Sequence, residues 1–182
     1  MPLLERSGEV AEHWRRVGTD GAVPAGQDVI LPLDRLAQEG EAVLNGGGRL
    51  GVELANDADL DALASWLDRL GLIAVGFPSF ADGRGFSIAR ELRLRGYKAE
   101  LRAVGPLIAD QFAFALACGF DAVEIDDAMA ARQPVAHWLE ALDAFSHGYQ
   151  RDYGGPQNIL EARRAARAKA REARAAQKET AQ

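Results

Sequence analysis

Leu72-Ile73-Ala74-Val75-Gly76-Phe77-Pro78-Ser79-Phe80-Ala81-Asp82-Gly83-Arg84-Gly85-Phe86-Ser87 passes from an apolar string into a polar loop bracketed by glycines, then into a helical pattern. A short apolar run bounded by Pro and Gly is of strand length, and parallel strands covered on both faces read as such runs. The stretch is therefore one strand, one loop and the start of one helix: a βα unit. Between Asp28 and Phe145 the same alternation recurs at regular intervals, the pattern of a parallel sheet wound with helices. Strands are predicted over 29–33, 50–55, 72–77, 100–104 and 121–125, and helices over 34–44, 58–70, 85–95, 106–118 and 135–145. Asp34 and Asn56-Asp57 are placed to start helices, while 46–48, Gly71 and Gly96 are placed as left-handed stops.

Three of these strands carry charges where continuous apolar runs are expected: Glu53 between Val52 and Leu54, Arg102 between Leu101 and Ala103, and Glu124 between Val123 and Ile125. An unpaired charge inside a sheet covered on both faces costs several kcal/mol, so these residues pair with one another or face a cavity. About five βα units with a polar inner face suggest a partial (β/α) barrel, and a flavodoxin-like open sheet is the alternative.

The flanks differ from this α/β domain, which is read over 29–150. Residues 1–28 form a polar N-terminal segment with His13 and Trp14, expected as a hairpin or strap packed on the domain. Residues 151–182 comprise a turn-rich linker and an Ala/Arg-rich tail, expected as a solvated helix or a frayed end. Of the net charge of −6, residues 159–182 contribute seven Lys/Arg against three Asp/Glu, so the rest carries −10. An acidic body argues against nucleic acid as the main partner. The 182 residues, 48% of them apolar, suffice for one core. No apolar run approaches the roughly 20 residues that span a bilayer, and residues 1–6 lack a signal-peptide h-region, so a cytoplasmic protein without membrane contact is expected. Cys118 is the only cysteine, which excludes an intrachain disulfide and four-cysteine zinc or cluster sites.

In a βα architecture the loops after the strands' carboxyl ends form the functional rim. Gly83 and Gly85 permit positive φ and close backbone approach, the first-turn amides of the next helix stay unpaired, and Arg84 adds a forked cation. That combination can hold a small oxyanion or carboxylate, with Asp82 orienting Arg84 and with Ser87 and Arg90 nearby. The plainer alternative is that Asp82 caps the helix and the glycines merely turn. The loop lacks the ending of a phosphate-binding Walker loop and the spacing of a dinucleotide fingerprint, so no cofactor is expected. Asp110 and Gln111 stand out in the apolar run 106–118, read as a buried helix including Phe112 and Phe114. They are placed too deep to cap that helix, so Asp110 needs Arg102, Arg84 or Arg90 as partner. His13, His137 and His147 show no metal-ligand spacing, and no metal is expected. Tyr149 and Gln150 either dock the chain end or line the rim.

Asp82-Gly83-Arg84-Gly85-x-Ser87-x-Ala89-Arg90, Glu100-Leu101-Arg102-Ala103-x-Gly105, Asp110-Gln111, Cys118-Gly119-Phe120-Asp121-Ala122 and Phe145-Ser146-x-x-Tyr149-Gln150 occur in that order. The set resembles the bacterial family known as domain of unknown function 934, over roughly residues 1–150. The chain departs from that pattern at Pro106, where relatives carry an acidic residue, and at Ala109, where they carry arginine. The resemblance implies a cytoplasmic oxidoreductase subunit or accessory protein of assimilatory sulfite reduction, docking on sulfite reductase or its electron donor. Whether it is itself an enzyme stays open. On this reading Arg84, Arg102 and the loop amides bind an oxyanion or a partner's acidic group. Asp82, Asp110 and Glu124 orient the arginines, and Glu53 and Glu100 support them. A small (β/α) enzyme doing acid–base chemistry on an anionic substrate is the alternative, and closure of the open sheet face by a second copy is a further one.

Overall fold

In the computed structural model, residues 1–144 are described. The chain is α/β, with eight strands in one sheet: β1 Leu3–Glu5, β2 Gly8–Val10, β3 Arg15–Arg16, β4 Val29–Pro32, β5 Leu50–Leu54, β6 Leu70–Gly76, β7 Glu100–Val104 and β8 Ala122–Glu124. Across the sheet they run β2-β1-β8-β7-β6-β5-β4-β3. From β3 to β8 every pairing is parallel, and only the β1–β2 hairpin and its seam with β8 are antiparallel. Helices α1 Leu33–Asn45, α2 Arg84–Leu94, α3 Ala109–Cys118, α4 Asp127–Arg132 and α5 Val135–Ala144 complete the described chain, with one 3-10 turn at Leu60–Leu63. Spatial order follows chain order from β3 to β8, so the sheet winds one way as a barrel does, and the doubly wound flavodoxin order is absent.

Winding one way puts the helices on one face. Leu31, Val52, Ile73, Ala103 and Val123 share a single core with Leu36, Leu92, Phe112 and Trp138 from the helices. The opposite face has only a small apolar cluster of Trp14, Ile30, Leu72, Ala74 and Val104. That face is concave. Seven strand-to-strand steps make about 34 Å of arc, yet the two edge strands, ending at Val10 and beginning at Arg15, are joined by a strap that reaches at most about 18 Å. Only a strongly curled half-barrel accommodates both, and the strap crosses its open side.

The predicted strands recur within two residues at each end, and 100–104 recurs unchanged. Three helical expectations need correction. Residues 58–70 form only the 3-10 turn and a series of turns, because β6 reaches back to Leu70, which pairs with Leu50 beside a register shift. Gly71 lies inside that strand; a Cβ there would meet the Trp14 ring at 3.0 Å, and it has no positive φ. Helix α3 starts at Ala109 instead of Pro106, because Gly105 takes φ +129° and the chain runs extended to Ile108. Tyr149, Gln150 and the tail 151–182 lie outside the described residues. Within these residues, no helix is long and apolar enough to cross a membrane.

Candidate functional site

Alternation along each strand sends every second side chain to the concave face. Arg16 of β3, Glu53 of β5, Glu100 and Arg102 of β7 and Glu124 of β8 all project there, and Glu12 of the strap meets them from the opposite side. Arg16 donates from Nε to Glu53 Oε2 at 2.6 Å and grips Glu124 with both terminal nitrogens, at 2.7 and 3.0 Å. Since β3 and β8 are separated by four intervening strands, this bond spans the concavity. Arg102 donates from Nε to Glu100 at 2.5 Å and from Nη1 to Glu12, with Glu124 Oε2 3.9 Å away. Its side chain is 2% exposed and that of Glu124 is 5% exposed.

The result is a ladder of two guanidinium groups and four carboxylates. Burial pushes the Glu12 carboxyl up, but bonds from Arg102 and the Trp14 amide outweigh it and hold the group below the usual range. The bidentate bond to Glu124 raises the Arg16 guanidinium, and Arg102 is raised by Glu12 and Glu100 against the opposing effect of burial. A buried cation satisfied this fully locks strap to sheet, and truncating it strands carboxylates in the interior.

Two recesses flank the ladder. One of about 810 Å³ opens where β4 to β7 end, lined by Arg16, Glu53, Asn56, Phe77, Pro78 and Val104 among others. A smaller one of about 250 Å³ lies by His13, Trp14, Arg49, Glu100 and Arg102, where the Arg49 guanidinium stacks 4.6 Å from the Trp14 ring.

In the Asp82–Ser87 loop Asp82 aligns Arg84 as expected, while the glycines differ from expectation. Asp82 accepts from the Arg84 amide at 3.1 Å and from its Nη2 at 2.8 Å, and these bonds hold the Asp82 carboxyl down to about 2. Neither Gly83, at φ −85°, nor Gly85, inside α2, has positive φ. Gly85 serves packing, since a Cβ there would lie 2.4 Å from the Phe77 ring. Ser87 and Arg90 are exposed on α2, whose other side is buried in the core. They do not join Arg102.

Asp110 and Gln111 fall in the first turn of α3, the reverse of the depth expected for them. Asp110 is exposed, and a carboxylate there complements the positive end of the helix dipole. Gln111 Oε1 accepts from the Ile108 amide at 3.2 Å, while its Nε2 donates to the Phe80 carbonyl at 2.7 Å, tying the rim loop to the helix. Phe114 is 56% exposed, not buried as its helix pattern suggested, and Phe80 is 54% exposed. Phe114 packs against Phe86 with ring centroids 4.9 Å apart, and Phe86 in turn contacts Phe77 at 4.9 Å.

The pattern of a bacterial protein family of unknown function, DUF934, matches residues 51–160. The chain belongs to this family. No curated protein matches it. The DUF934 stretch holds Glu53, the rim loop, Glu100, Arg102 and Glu124, while the partners that complete the ladder, Arg16 and Glu12, come from the segment before it. Sequence reasoning missed both. Their only signal is the polar run Glu12-His13-Trp14-Arg15-Arg16, and only the curl of the sheet brings that run over the DUF934 strands. The third omission is Asn56, read as a helix start, which lies 8% exposed at the larger recess.

Proposed function

We propose that this DUF934 protein is an accessory of assimilatory sulfite reduction that docks on sulfite reductase or its electron donor through Phe80, Arg84 and Phe114. The family resemblance supports the pathway. The docking mode rests on one observation: two phenylalanines more than half exposed and an exposed arginine are each held by a neighbour. Gln111 holds the backbone of Phe80, Phe86 backs the Phe114 ring, and Asp82 aligns Arg84. Aromatic and arginine side chains dominate the energetics of protein interfaces, and a patch ordered before contact avoids much of the entropic cost of association. Because the Arg84 amide and fork are already engaged by Asp82, a partner surface suits the loop better than a free oxyanion.

The test is capture from cells using sulfate as sole sulfur source. The tagged chain brings down sulfite reductase or its donor, Phe80→Ser with Phe114→Ser loses most of that capture, and deletion slows growth on sulfate but not on cysteine. Absence of both proteins from the captured fraction, with unchanged growth of the deletion strain, would end this reading.

A further inference from the structure

The larger recess lies at the carboxyl ends of β4 to β7, the end of a parallel sheet at which ligands bind. Its volume of about 810 Å³ falls within the range of small-molecule sites. Small residues on its floor make it hollow. Packed barrel interiors carry bulky branched side chains at inward positions, whereas the concave face of β6 ends in Ala74 and Gly76, and that of β5 runs on into Ala55. Apart from its chain neighbours, a Cβ on Gly76 would have only the Leu54 carbonyl oxygen within 4 Å, at 3.3 Å, so the space above this glycine belongs to the recess. Leu33, Phe77 and Val104 make the wall apolar. Charge is uneven across it. Glu53 and Asp34 line the recess against one guanidinium, that of Arg16. All three Arg16 nitrogens bond carboxylates, and one of these, Glu124, adds a third negative charge behind the wall. From Glu53 the arginine takes only Oε2, and this side chain is 37% exposed.

We propose that this recess binds a small molecule with an apolar, ring-sized body and a protonated amine. The body fills the hollow over Ala55 and Gly76, and the ammonium pairs with Glu53. An apolar site with one accessible carboxylate and surplus negative charge selects for that combination through complementary potential. An anion is disfavoured, because the only guanidinium lining the recess is already neutralised by two carboxylates. This site is independent of the sulfite-reduction reading, since Phe80, Arg84 and Phe114 are not among the residues lining it.

Benzylamine, benzyl alcohol and benzoate, similar in shape and different in charge, test it on the isotope-labelled full chain by NMR at neutral pH. Benzylamine shifts the backbone amides at the ends of β5 and β6, with a dissociation constant in roughly the millimolar range of fragments. Benzyl alcohol binds at least about threefold more weakly, the worth of a half-exposed ion pair, and benzoate more weakly still. Glu53→Gln keeps an acceptor for Arg16 and removes the preference for benzylamine over benzyl alcohol. Ala55→Leu fills the hollow from an exposed position and abolishes the shifts, with an unfolding curve that overlays the wild type. Phe80→Ser with Phe114→Ser leaves them intact, which separates this site from the docking patch. The proposal is overturned if benzylamine leaves these amides unmoved at about 20 mM, well above fragment affinity. It also falls if benzyl alcohol or benzoate binds as tightly as benzylamine, or if Ala55→Leu, folded as the wild type, still binds it.

Discussion

The ladder inside the half-barrel and the loop on its rim use the same chemical pair, an arginine against a carboxylate, in opposite surroundings. Arg102 is 2% exposed and pairs with Glu12 and Glu100, whereas Arg84 is 59% exposed and pairs with Asp82. In water an ion pair contributes little and is screened by salt; in the interior its loss leaves charges without solvation. The buried pair therefore holds the molecule together, and the exposed pair is free to set a side chain's direction for something else. The charges most conspicuous in the sequence are architectural, and the quieter aromatics around the loop form the exposed surface.

That contrast breaks most visibly at Arg102. Arg102→Met leaves Glu12, Glu100 and Glu124 facing one another, and urea denaturation should show a loss of about 3 kcal/mol, the low end for a broken buried pair because two partners reach solvent. A loss near zero would make the ladder incidental. Gly85→Ala drives a methyl into the Phe77 ring and should cost about 2 kcal/mol by the same assay, showing that the rim is held by packing and not by charge. Arg16→Gln removes two ion pairs from a half-exposed position and should cost about 1–2 kcal/mol, with Arg102 still near Glu124.

Smallest of all, Arg84→Ala should leave the unfolding curve in place while changing a titration. The Asp82 carboxyl has its folded value depressed from 3.8 to about 2, so its contribution is present above pH 3.8 and lost as pH falls through about 2. NMR-detected titration should place Asp82 near 2 in the wild type and clearly higher in Arg84→Ala, yet still below 3.8, because the amide of residue 84 keeps its bond to Asp82. Equal values in both proteins would detach Asp82 from Arg84.

The strands were legible because apolar runs bounded by Gly and Pro have few other uses, and the charges within strands at 53, 102 and 124 announced an inner face that is not a plain core. What could not be read was who pairs with whom. Arg16 and Glu12 lie far from Glu124 and Arg102 in sequence, and their meeting depends on the sheet's curl, a property of eight strands together. In the loop, the expected alignment of Arg84 by Asp82 is present, because a carboxylate two residues away is the nearest acceptor, while the glycines' actual role, packing at Gly85, depends on the Phe77 ring and was not readable. Helix α3 misled through its start, since shifting it by three residues moved Asp110 and Gln111 from mid-helix to the first turn. Phe114 was taken as buried because an apolar pattern does not reveal which of its residues a neighbouring element leaves uncovered.

The claim that the ladder builds the fold while the rim meets a partner is tested most directly with the Phe80→Ser, Arg84→Ala double variant. It is to be compared with the wild type for capture of sulfite reductase or its electron donor from sulfate-grown cells. The account predicts an unfolding curve that overlays the wild type and capture reduced about tenfold or more, as expected for removing interface anchors. Full capture by the double variant, alongside capture by the wild type, would contradict it.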